Sequence, residues 1–165
     1  MRRSAIALLA LTPLLAIAAV ADAKLPKVKP KTGTYTGSEV DTKKPGVLKV
    51  SRKGHALRVA SLKLVFTAQC SDENGATSEK DVPIEVSGKL HRAVVTTDKN
   101  TFVRSYKFTA KKQEEGGPFY NLEVELPARK QARVTGLVSE QVNDASGNTV
   151  SECDSGTETW HLSHH

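Results

Sequence analysis

The chain is poor in the residues that most often mark a chemical site. Its 165 residues include two cysteines, one tryptophan and one methionine, and aromatic residues make up 5% of it. So few aromatics leave little from which to build a stacking platform for nucleic acid, and no specific nucleic-acid reader is expected. There is no G-x-S-x-G elbow, and Ser155 near His161 has no oxyanion device beside it in the sequence, which argues against a serine hydrolase. Past residue 23 no stretch shows the 3.6-residue apolar spacing of an amphipathic helix, so helical bundles are excluded. Asp72-x-Asn74-Gly75 opens like a calcium loop but lacks the remaining ligands, and it reads as a turn.

What is present begins with an address. Met1-Arg2-Arg3 is a short positive region, Ser4 to Val20 is an apolar run, and Ala21-Asp22-Ala23 has the small-x-small form of a signal-peptidase site. Residues 1–23 therefore read as a signal peptide cleaved near Ala23. The run is short for a membrane span of roughly 20 apolar residues. No cysteine lies at the cut, which argues against a lipid anchor. The expected location is secreted or extracytoplasmic, at the cell envelope. Cys70 and Cys153 are then expected to form one disulfide. Closing a loop of about 80 residues, it is worth roughly 4–5 kcal/mol by chain entropy.

The formal net charge is +6. Part of it sits in residues 24–32, where Lys24, Lys27, Lys29 and Lys31 are interspersed with Pro26 and Pro30. Mutual repulsion and missing backbone donors make this read as an extended, mobile tether. Its functional alternative is an electrostatic contact with an anionic wall polymer, phospholipid or nucleic acid.

Residues 33–163 read as a single β domain, with residues 164–165 as a tail. Apolar residues alternate through Leu48 and Val50, Val82 to Val86, Tyr120 to Leu126, and Ala132 to Val138. The long run from His55 to Cys70 changes phase: Leu57 and Val59 share one face, and Leu62, Leu64, Phe66, Ala68 and Cys70 share the other parity. A two-residue period changes phase only at a bulge, expected near Ala60-Ser61. Pro83 places its strand at an edge or near a strand start. The expected fold is all-β: an antiparallel sandwich or a partly closed barrel of about seven to nine strands.

Both ends of this domain carry a resemblance. Gly33-Thr34-Tyr35-Thr36-Gly37 is similar to the G-x-Y-x-G opening of a family of small exported bacterial all-β domains, and Cys153-Asp154-Ser155-Gly156-Thr157-Glu158-Thr159-Trp160 resembles its C-D-S-G-T-x-x-W close. The resemblance implies an exported β domain with one disulfide. It carries no activity and no site residue.

Other candidates are weaker. Glu85, Glu123 and Glu125 are carboxylates on the polar sides of strands, the raw material for a small hydrolase. His161, His164 and His165 cluster near a chain end, where preorganisation for a metal is poor. Arg104 falls in an aromatic row with Phe102, Tyr106 and Phe108, where the row bends outward, the arginine reaches the sheet end, or it is buried and paired. No catalytic residue, metal ligand or cofactor is assigned. The leading expectation is a non-catalytic binding or structural domain whose partner is an anionic envelope polymer or an extracellular protein. A carboxylate hydrolase and a protein-binding or inhibitor module, using the Lys111–Pro118 connection, are the alternatives.

Overall fold

The computed structural model describes residues 25–112 and 118–165. The expected signal peptide, Lys24 and residues 113–117 of the charged connection lie outside them. The described residues form ten strands and no helix: β1 (Gly33–Glu39), β2 (Pro45–Lys53), β3 (Ala56–Asp72), β4 (Thr77–Lys89), β5 (His91–Thr96), β6 (Phe102–Lys112), β7 (Phe119–Ala128), β8 (Gln131–Asn143), β9 (Thr149–Asp154) and β10 (Glu158–His164). The ten are one more than the upper end of the seven to nine expected, and residues 155–157 divide β9 from β10.

The choice between sandwich and barrel resolves as a barrel. All pairings between these ten strands are antiparallel, and the ring β1-β2-β3-β9-β8-β10 closes on itself. β4 flanks β3, and β7, β6 and β5 continue outward from β8. Pro83 lies in β4, which among the described residues pairs with β3 alone and so forms an edge, where a proline is tolerated.

β3 shows how sequence sets curvature. Its register shifts against β2 and β4 across Ala60 and Ser61, where the phase change is. One bulge turns Leu57 and Val59 inward before it and Leu62 to Cys70 inward after it. The inner face is sealed by Trp160, Tyr35, Phe66 and Leu48, all fully buried, with the Phe66 and Trp160 rings edge to face at 4.8 Å. Two glycines make room for this packing. A Cβ on Gly46 would stand 2.8 Å from Trp160 Cδ1, and one on Gly37 would stand 2.0 Å from the His161 carbonyl oxygen.

The closing motif is the joint of the ring. β8 pairs with β9 from Ser139 onward and with β10 up to Gly136. Between them, Ser155 N donates to the Val138 carbonyl (3.0 Å), and the Val138 N–H is taken by Ser155 Oγ (3.0 Å). A side chain thus completes one step of the ladder. Asp154 Oδ1 accepts the Gly156 N–H (2.6 Å), and Gly156 supplies a φ of 63°. Cys153 stands opposite Cys70 in the β3–β9 pair, Cα atoms 3.9 Å apart, and the two are disulfide-bonded as expected.

Between its pairing with β2, which ends at Leu64, and with β9, which begins at Gln69, β3 lacks a strand on that side. Glu158 fills the opening: its Oε1 accepts the Thr67 N–H at 2.8 Å. The residue is 7% exposed, and its Oε2 has no hydrogen-bond partner among the described residues. Burial, and then the neighbouring charge of Glu39, push the Glu158 carboxyl above the usual carboxylate range, although the Thr67 bond opposes this. Glu39, 2% exposed, behaves oppositely. Burial alone raises it, but bonds from the Thr42, Thr159 and Asp41 N–H groups and the Thr42 hydroxyl prevail and hold it below that range.

Candidate functional site

The residues read as a tether are part of the fold. In residues 25–32 the lysines fall at every second position, and an extended chain sends alternate side chains to opposite sides. Lys27 and Lys29 are exposed, Lys31 is half-buried, and Pro30 between them is buried. Two sets of backbone bonds hold the segment. Arg104 N donates to the Pro26 carbonyl and Val28 N to the Arg104 carbonyl, both at 2.8 Å, a parallel bridge onto β6. Further on, Lys31 N donates to the Arg129 carbonyl (3.0 Å), and the Tyr35 hydroxyl donates to the Lys31 carbonyl (2.7 Å).

β6 can receive this segment because β7 leaves it early. β6 pairs with β7 only from Lys107 to Lys112. Beyond Glu125 the β7 register shifts, and Pro127 has no N–H with which to continue a ladder. The Ser105 hydroxyl donates to the Leu126 carbonyl instead, and the edge at Arg104 is left for residues 26–28.

β6 departs from the expected aromatic row for the same reason. Val103 and Ser105 face the core, whereas Phe102 is 60% exposed, and only Phe108 of the proposed row is buried. Arg104 therefore lies where the row turns outward. Across the hairpin, Arg92 is opposite Tyr106, Val94 opposite Arg104 and Thr96 opposite Phe102.

A groove of about 600 Å³ runs between this hairpin face and the docked segment, lined by Lys27, Lys29, Arg92, Val94, Arg104 and Tyr106 among others. A second, of about 670 Å³, lies on the other side of the segment and adds Lys31 and Arg129. Lys27 and Lys29 form the rib between the two. No Asp or Glu is among the described residues lining either groove. Cations gathered on one face raise a local positive potential that favours an anionic partner. Of the lysines singled out in the sequence, three meet here and Lys24 lies outside the described residues. Arg92, Arg104 and Arg129 join them from distant parts of the chain. The signal that could have placed the lysines was their two-residue period. Arg104 stood out in the sequence by its place in the aromatic row, whereas nothing there pointed to Arg92 or Arg129.

The other candidates are dispersed. Glu85 pairs with Lys63 (3.2 Å) on the β3–β4 face, Glu123 with Lys107 (2.6 Å), and Glu125 with Arg133. Glu123 and Glu125 border a cleft of about 440 Å³ shared with Arg133 and Thr135. His164 Nε2 lies 3.0 Å from the Thr32 carbonyl oxygen, with its ring edge to face on Tyr35. His161 is exposed on β10. Among the described residues no three His, Cys, Asp or Glu side chains gather as a metal site. Asp72 Oδ1 accepts the N–H groups of Asn74 and Ala76, which makes its segment a turn. No family model, no curated protein and no solved structure matches this chain.

Proposed function

We propose that this protein is an exported, non-catalytic β-barrel domain that holds an anionic partner at the cell envelope through the cationic face formed by residues 27–31, Arg92, Arg104 and Arg129. The observation that carries the reading is the docking of the Lys-x-Lys-x-Lys segment beside β6. It gathers scattered positive charge onto one surface with two grooves, whose described lining residues include no Asp or Glu. Export is supported by the signal-like residues 1–23, by the resemblance of the opening and closing motifs to small exported domains, and by the disulfide, which persists in oxidising compartments. Among the described residues no helix is long and apolar enough to cross a membrane.

The test is retention on isolated cell envelopes as salt is raised. Deleting residues 24–32 would remove the buried Pro30, so charge reversal is the cleaner perturbation. Lys27→Glu with Lys29→Glu is expected to lower retention at low salt while leaving the thermal melt in place. Retention equal to the parent protein at low salt would sink the reading. Attraction between exposed charges is screened beyond a Debye length, about 8–10 Å at roughly 0.1–0.15 M and shorter as salt rises, so raised salt should release the parent protein as well.

A further inference from the structure

Among the described residues, two of the three large hydrophobic side chains that stand exposed lie together on the cationic hairpin: Phe102 at 60% and Val94 at 49%. The β5–β6 register makes them diagonal neighbours on one face, Phe102 opposite Thr96 and Val94 opposite Arg104. Side chains in this relation are within mutual reach. Phe102 directly follows the turn of residues 97–101, closed by Thr97 N to the Thr101 carbonyl (2.8 Å) and Asn100 N to the Thr97 carbonyl (2.9 Å). The apolar pair thus sits toward the end of the hairpin, and its Val94 lines the same groove as Lys27, Lys29 and Arg92.

An anionic polymer calls for the cations and has no use for an exposed Phe and Val. A second copy of this chain would answer the apolar pair but would bring Lys27, Lys29 and Arg92 against themselves. A surface that is anionic at one depth and apolar just below it answers both. Resting on the reading above that this face takes an anionic partner, we propose that the partner is a lipid bilayer with anionic headgroups, Phe102 and Val94 entering the interfacial layer while Lys27, Lys29 and Arg92 meet the phosphates. Aromatic side chains favour that layer, and a basic residue near an anionic leaflet adds about a fivefold gain in binding.

The experiment uses the chain from Lys24 onward, which contains every strand and the docked segment and omits residues that would bind vesicles on their own account. Co-sedimentation is measured with phosphatidylcholine vesicles with and without phosphatidylglycerol, alongside binding to heparin as a soluble polyanion. The expected result is binding to phosphatidylglycerol vesicles, release by salt, and little binding to neutral ones. Lys27→Glu with Lys29→Glu should lower both vesicle and heparin binding at least tenfold. Phe102→Ser, at an exposed position, should lower vesicle binding roughly fivefold and leave heparin binding intact. Phe102→Trp adds a reporter whose emission shifts to the blue with anionic vesicles and not with heparin. Heparin binding without vesicle binding, or vesicle binding indifferent to Phe102→Ser, overturns the bilayer proposal and leaves the anionic-partner reading standing. Binding to neither overturns both, and equal binding to neutral vesicles overturns the role of the cations.

Discussion

Glu158 offers the sharpest test of how the ring is held shut. Replacing it with Ala leaves the Thr67 N–H without its acceptor at the gap between β2 and β9. An unsatisfied buried donor costs about 1–3 kcal/mol. Losing the buried γ-methylene adds about 0.8 kcal/mol. Release from burying a carboxylate offsets part of this, so a net loss of about 2 kcal/mol is expected. Glu158→Gln keeps an oxygen for Thr67 and removes the charge. The pH dependence follows from burial holding the folded carboxyl above its ordinary value of 4.5. Between 4.5 and the raised folded value, the folded protein holds more protons than the unfolded chain, so stability falls as pH rises through that window. Glu158→Gln lacks this fall. It should match the parent below the window and exceed it by a growing margin across it, with a constant margin above. Urea unfolding followed by fluorescence of the buried Trp160 reads this directly. With a urea slope of about 2 kcal/mol per molar, Glu158→Ala should unfold about 1 M earlier than the parent at neutral pH, and earlier still relative to Glu158→Gln. Equal midpoints for the two variants, or a parent pH slope retained in Glu158→Gln, would refute the role assigned to this side chain.

Other perturbations test the rest of the frame. Cys70→Ala with Cys153→Ala should cost about 4.5 kcal/mol by chain entropy for a separation of 83 residues, visible in the urea midpoint, and a loss below about 1 kcal/mol would contradict it. Ser155→Ala removes the acceptor of the Val138 N–H and should cost about 1–2 kcal/mol, with faster hydrogen exchange at Val138 as the local sign. Gly37→Ala brings a methyl against the His161 carbonyl and should cost about 3 kcal/mol or more, lowering the melting temperature by roughly 6–12 °C. Glu39→Gln should behave oppositely to Glu158→Gln. Glu39 is held low, so its contribution is present above 4.5 and is lost as pH falls through its folded value; the parent's advantage over Glu39→Gln should shrink on acidification.

Local alternation carried most of what could be read from the sequence. Leu122, Val124 and Leu126 were assigned inward from their spacing, and the bulge at Ala60-Ser61 from a change of parity; both rest on side chains flipping at every residue. Glu158 obeys the same rule, two residues before Trp160 and four before Leu162 on the inward row of β10, but its charge argues for the surface. Only the gap in β3 explains it, and a gap depends on where two other strands end. The docked lysines were obscured differently. Two prolines in eight residues suggest a chain without partners, yet Val28 and Arg104 still offer the N–H groups that fasten it. Arg92 and Arg129 join the site through pairings between distant strands, which no local pattern encodes.

The split final strand also sets the timing of folding. β9 and β10, the last two strands, supply the joins to β1, β3 and β8 that make a ring. A chain emerging from its N-terminus can form the β1-β2-β3-β4 and β5-β6-β7-β8 meanders as it appears. It cannot close them until residues 149–164 have emerged. Until then β1 and β3 each present a raw edge, Cys70 has no partner thiol within reach, and the nascent protein is an open ribbon. Ring closure thus waits on residues 149–164, and long-range pairings of this kind make that step slow relative to the meanders.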